Sequence, residues 1–157
     1  MQQKTSLKLI KAALMGLQLA TTQAALAHGW VTWPPSRQEQ CAKGSLSFDC
    51  GDLKYEPQSV EGPKGSQECS GGSKFNILDS GGPWGVTSVG KSVTVTWQFT
   101  APHRTSNWEY YVDGRHIQSF YGGNKAPPYT VSHTINGLSP GRQTILAVWN
   151  IGDTSMA

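Results

Sequence analysis

His28 follows directly on Ala25-Leu26-Ala27, and that adjacency sets the chemistry open to it. The first residues carry Lys4, Lys8 and Lys11 and no acidic group, then an apolar stretch around residues 12–20, then small residues at 25 and 27. A basic region, a short apolar core and a small-x-small site describe a secretory signal peptide over residues 1–27, cleaved after Ala27. The apolar run is too short to span a bilayer. Cleavage makes His28 the first residue of a secreted, extracellular protein, with a free α-amine and an imidazole on one residue. Those two nitrogens chelate a single metal ion, which no internal histidine does alone. His103, in TAPHRTSNWEYY, falls between two expected strands and offers a third nitrogen. A tetragonal set of nitrogens suits Cu(II), which also heads the affinity series for such ligands. His103 reads equally well as a hydrogen-bonding surface residue. His116 and His133 sit in or beside alternating segments and read as surface or hydrogen-bonded histidines.

A second cluster lies at residues 55–62, YEPQSVEG. Tyr55 offers a flat aromatic face, Glu56, Gln58 and Ser59 offer hydrogen bonds, and Glu61 offers a carboxylate able to stand behind a metal ligand. Taken alone, the segment also reads as a solvated loop.

The elements that must position these residues are mostly strands. KSVTVTWQFT alternates Val93, Val95, Trp97 and Phe99 against polar neighbours, as a half-buried strand does. NWEYYVDG and RHIQSFYGG read as a hairpin turning at Asp113-Gly114. PPYTVSHTINGLSPG supplies another strand, and the more continuously apolar QTILAVWNI reads as a central one. Short strands at this spacing predict an all-β sandwich of immunoglobulin or fibronectin III type. Residues 28–90, rich in Gly, Pro, Ser and Gln, read as a long loop region with one or two helical turns.

Charge narrows the partners. Three of the 13 basic residues precede position 28 and none of the 10 acidic ones does, so residues 28–157 are balanced at ten against ten. A nucleic-acid binder needs a basic footprint that this segment lacks, and nothing in it resembles a membrane helix. In an oxidising compartment cysteines pair. Cys41 and Cys50 close a short loop and are natural partners, which leaves Cys69 over.

Together these motifs resemble the lytic polysaccharide monooxygenases of auxiliary-activity family 10, the chitin-binding type. HGWVTWPPSRQEQC after a signal peptide, YEPQSVEG, A-x-H-x-T at 101–105 and ILAVWNIGDTSMA occur in the family's order. The resemblance implies a fibronectin III/immunoglobulin-like sandwich with a long loop and short-helix insertion after the first strand. It implies one copper ion in a histidine brace of His28, with its amine, and His103. Ala101, Trp149 and Asp153 match residues around the copper, and Glu61 matches the catalytic glutamate. Tyr55, Glu56, Gln58 and Ser59 match the chitin-contacting face, and Thr105 is counted with them. Cys41 and Cys50 match the family's early disulfide. The implied activity is oxidative cleavage of crystalline chitin, with oxidation at C1, by O2 or H2O2 and an external electron donor of unknown identity. Cellulose is the alternative polymer, and the implied protein is a monomer. A non-catalytic chitin-binding or defence protein using the same face is the alternative function. The family's axial aromatic and last strand are expected beyond Ala157, so residues 28–157 read as a chitin-binding type 4 domain lacking its last strand, with the partner of Cys69 in the missing tail.

Overall fold

The computed structural model describes residues 27–157. The expected signal peptide, apart from Ala27, lies outside them. Six strands form two antiparallel three-stranded sheets. One orders β1 (His28–Trp33), β2 (Ser92–Ala101) and β5 (Thr130–Asn136), with β2 in the middle. The other orders β4 (Arg115–Lys125), β3 (Thr105–Val112) and β6 (Ile145–Ile151), with β3 in the middle. The expected sandwich is what the chain forms.

Alternation explains how the two sheets meet. Val93, Val95, Trp97 and Phe99 of β2 face Trp108, Tyr110 and Val112 of β3, and Ile135, Trp149 and Ile151 complete the same buried cluster. Phe99 lies at its centre, 4.6 Å ring to ring from Trp149 and stacked on Trp97. Side-chain polar atoms buried here are matched except Trp108 Nε1, which has no hydrogen-bond partner. Trp97 Nε1 donates to the Tyr110 hydroxyl at 2.9 Å, and that hydroxyl meets Nδ1 of His133 at 2.7 Å. His133 is therefore the hydrogen-bonded histidine its strand context predicts, whereas His116 stays exposed and meets Ser119.

Two strand expectations change. The segment 28–33, read as loop, is β1. Bulges between His28 and Gly29 and between Val31 and Trp33 break its alternation, so the period-2 signal never develops. QTILAVWNI, read as central, forms β6, which pairs only with β3. Its unbroken apolarity has another source. Ile145 and Ala147 pack on the core, and the whole run from Ile145 to Trp149 also lines a groove of about 1510 Å³ shared with Val31, Val93 and Val95.

The insertion between β1 and β2 is ordered around a second core of Cys41, Leu53, Phe75, Leu78 and Trp84. It contains one short helix, α1 (Arg37–Ala42), and two 3₁₀ turns at 51–54 and 76–79. Ser36 caps α1 by accepting from the Glu39 N–H, and Glu39 in turn accepts from Trp30 Nε1 at 2.7 Å, which ties the helix to β1. Cys41 and Cys50 form a disulfide. Cys69 is a free thiol among the described residues, and burial pushes its pKa up to about 11.

Candidate metal centre

The start of β1 and the end of β2 lie side by side, because His28 pairs with Ala101 and Gly29 with Phe99. The chain leaves β2 through Pro102 and His103 and re-enters the other sheet at Thr105. His103 therefore leaves the same end of the sandwich at which His28 enters. Nothing larger than a hydrogen fits at Gly29: a Cβ there would run into the Phe99 ring. β1 is thus seated directly on the core one residue after His28.

Thr105 holds the connection in place. It is fully buried, donates to the His103 carbonyl at 3.0 Å and accepts from Trp149 Nε1 at 2.7 Å. This corrects its assignment to substrate contact: a side chain with no exposed surface cannot touch a polymer, and Thr105 positions His103. A Cβ on Gly122 of β4 would meet the Thr105 methyl at 2.5 Å, so β4 closes over the threonine from the other side. The neighbouring Gly152 N–H donates to the Arg104 carbonyl at 2.6 Å and brings Asp153 to the same corner.

Asp153 places a carboxylate oxygen 3.2 Å from Nδ1 of His103. The contact is close enough for charge attraction but lies off the line of a hydrogen bond, and Nδ1 remains buried without a hydrogen-bond partner. Buried polar atoms are almost always paired. Metal-binding histidines hold their other ring N–H against a carboxylate, and Asp153 stands beside Nδ1 of His103, where such a carboxylate would be.

Glu61 approaches from the insertion. Burial raises its pKa, while the charge of His28 and the backbone N–H of Ala27 pull it down. The carboxylate therefore stands against both the histidine and the backbone nitrogen just before it. The backbone around it is clamped. Gly62 and Gly71 cross so tightly that a Cβ on either would lie within 2.7 Å of the other segment's backbone. Gly62 and Ala157 exchange two backbone hydrogen bonds, of 2.8 and 3.0 Å. Sequence patterning showed neither the glycine crossing nor this pairing, because each joins segments far apart in the chain.

The YEPQSVEG segment borders the same corner. The Gly29 N–H donates to the Gln58 carbonyl at 3.3 Å, which sets Gln58 on the side of β1 away from β2. Tyr55 is 80% exposed, as a stacking face must be. Glu56 meets Lys74 Nζ at 2.5 Å, so its carboxylate is already engaged by a surface cation. Ser59 and Gln58 are half-buried. Ala101, opposite His28, is half-buried and small, and Trp149 is buried beneath the corner.

Among the described residues, no cluster of three or more His, Cys, Asp or Glu side chains can hold a metal ion. Two imidazoles need a further nitrogen, and the main-chain nitrogen of His28 supplies one once it is an amine. An all-nitrogen set of this kind suits copper. The residues present thus fit the implied group. Among the described residues no helix is long and apolar enough to cross a membrane.

Comparison with known proteins places the chain itself. The sequence model for "lytic polysaccharide mono-oxygenase, cellulose-degrading" matches residues 28–157. A "lytic chitin monooxygenase" of Streptomyces ambofaciens is 49% identical over 156 residues, covering 93% of this chain and 90% of that protein. An "AA10 family lytic polysaccharide monooxygenase C" of Mycosarcoma maydis is 33% identical over 83% of this chain but only 50% of its own length. The neutron crystallographic structure of a Jonesia denitrificans lytic polysaccharide monooxygenase superposes with a TM-score of 0.81 at 53% identity, covering 82% of this chain and 92% of that one.

Proposed function

The chain belongs to the lytic polysaccharide monooxygenases of auxiliary-activity family 10, and on that footing we propose that it is a secreted, copper-dependent enzyme that oxidises crystalline chitin at C1. The observation that carries the reading is the pairing of His28 with Ala101, which brings the start of the mature chain and His103 to one end of the sandwich. The domain proposed to do this is residues 28–157, after removal of residues 1–27.

The copper would be held by the His28 amine, the His28 imidazole and His103. Bound there, it would supply one-electron redox chemistry toward O2 or H2O2, with electrons from an external donor. The rest of the work falls to the protein. Thr105 and Asp153 fix the His103 ring from its backbone side and its Nδ1 side. The Glu61 carboxylate, half-buried and facing His28, holds or releases a proton beside the oxygen co-substrate. Ala101 leaves room there that a larger side chain would fill. Tyr55, Gln58 and Ser59 form a face on which a polymer can lie, and a flat face suits a crystalline chain that cannot enter a cleft. Hydroxylation at C1 then lets the glycosidic bond break by elimination.

Chitin is favoured over cellulose by the YEPQSVEG segment and by the name of the Streptomyces ambofaciens relative. The family's own description names cellulose, so the decisive experiment includes both polymers. Protein beginning at His28 is incubated with chitin or cellulose, copper and a reductant, and the products are read by mass spectrometry. C1-oxidised chitin oligosaccharides are expected. Their absence with chitin binding intact would overturn the oxidative reading, and products from cellulose alone would overturn the substrate. One extra residue ahead of His28 converts its amine to an amide, so tight copper binding by calorimetry should be lost. Unchanged affinity would refute the brace.

A further inference from the structure

The two sheets carry an exposed tyrosine that the sequence motifs did not single out. Tyr129 precedes β5, and its carbonyl accepts from the Phe99 N–H at 2.8 Å, which extends the β2–β5 ladder by one step beyond Gln98 and Thr130. Phe99 in turn pairs with Gly29, and the Gly29 N–H donates to Gln58. Gln58, Gly29, Phe99 and Tyr129 therefore form one row across the end of the sandwich. His28 and Ala101 stand in the next row outward. With strands spaced about 4.8 Å apart, Tyr129 lies about 10 Å from β1 on one side, and the Tyr55–Ser59 segment flanks β1 on the other.

The Tyr129 ring is presented, not packed. Along β5 the side chains of the same parity, Val131, His133 and Ile135, are half-buried or buried against the core. Tyr129 has the same parity but is 65% exposed and is not among the residues packed on the core. Pro127 and Pro128 come directly before it and fix two backbone φ angles. A ring held on a stiff backbone loses little freedom when a ligand covers it. Exposure alone does not single it out. Tyr121 is 84% exposed, but its neighbour Phe120 stacks inward on His133, so alternation turns Tyr121 to the outer face of β4.

Resting on the chitin reading above, we infer that Tyr129 is a second carbohydrate-stacking residue, on the opposite side of the His28–His103 corner from Tyr55. A flat pyranose chain running along the row would then be held on both sides of the reacting bond. The polymer class is an extended β-1,4-linked chain, whose flat rings can lie across the row from the Tyr55 side to the Tyr129 side.

Binding isotherms on crystalline chitin test this, using copper-loaded protein beginning at His28 and no reductant, so that no turnover occurs. Tyr129→Ala should bind about three- to ten-fold more weakly, and Tyr129→Phe should bind as wild type. Tyr129→Gln, which removes the ring but keeps bulk, should match the alanine variant. Tyr121→Ala and Trp33→Ala, at exposed aromatics away from the row, should stay within about two-fold. Copper affinity and melting temperature should be unchanged in all five. Wild-type affinity in both Tyr129→Ala and Tyr129→Gln overturns the inference and leaves the chitin reading standing. Equal loss in Tyr121→Ala would also overturn it. Wild-type protein that does not bind chitin overturns both.

Discussion

Thr105→Val tests whether the corner is held as the structure shows. Valine keeps the shape of threonine and deletes its hydroxyl. Two hydrogen bonds go with it: the one accepted from Trp149 Nε1 at 2.7 Å and the one donated to the His103 carbonyl at 3.0 Å. Trp149 is buried and has no other acceptor, so its N–H is left unsatisfied at a cost of about 1–3 kcal/mol. The bond to the partly buried His103 carbonyl contributes about 0.5–1.5 kcal/mol more. The expected loss is roughly 2–4 kcal/mol, and a domain of this size shifts by about 4 °C per kcal/mol, so Tm should fall by roughly 8–16 °C. Thermal unfolding of the metal-free protein by circular dichroism measures it. Thr105→Ser keeps the hydroxyl and loses only a methyl against Gly122, so it should recover about half or more of the loss. A released His103 backbone should also weaken copper binding in the valine variant, measured by calorimetry below its melting range. A Tm within about 2 °C of wild type, or a serine variant as unstable as the valine one, would refute the role given to Thr105.

Two further outcomes follow from the core and from β1. Burial holds the His133 imidazole below its ordinary value of 6.5, in a surround of Tyr110, Trp108 and Phe120 with no acidic partner. The unfolded chain therefore takes up a proton near pH 6.5 that the folded chain refuses, so stability is fully present above that pH and declines as pH falls below it. Tm should drop between pH 7 and pH 5 more steeply in wild type than in His133→Asn, which cannot titrate; parallel slopes would show that His133 carries no such linkage. Gly29→Ala places a methyl against Phe99, which is hemmed in by Trp97, Trp108 and Trp149. Overpacking of this kind costs about 1–3 kcal/mol, and urea denaturation with an unchanged midpoint would show that the ring can retreat.

Residues that act through local pattern were legible in the chain. The alternation of Val93, Val95, Trp97 and Phe99 gave a strand with one buried face, and that face is the core. Asp113-Gly114 gave the hairpin turn, with positive φ at both residues. Cys41 and Cys50 gave a loop short enough to bridge. What stayed hidden depends on contacts between distant segments. β1 was invisible because two bulges in six residues erase its period. β6 was misplaced because apolarity on both faces signals burial without saying what buries the second face. Thr105 was taken for a surface residue because hydroxyls in a recognised motif look like ligand contacts, and only the packing of Gly122 and Trp149 around it shows otherwise.

The corner also explains why one peptide bond matters so much. With Ala27 attached, the His28 nitrogen is an amide, and Ala27 itself is 5% exposed and packed with the core. Its N–H is the backbone donor that Glu61 meets. Removing residues 1–27 would take that donor away and leave a small space where Ala27 sat. The His28 amine, which begins the next residue, is a group able to replace that donor, since Glu61 already feels that histidine. On the proposed reading, the cut that would create the third metal nitrogen would therefore also change the partner of the Glu61 carboxylate. Neither change needs the sandwich to move, because β1 is anchored one residue later by Gly29 on Phe99 and Gln58. On the proposed reading the anchoring of β1 on Phe99 and Gln58 is independent of the cut, whereas the metal chemistry requires the amine.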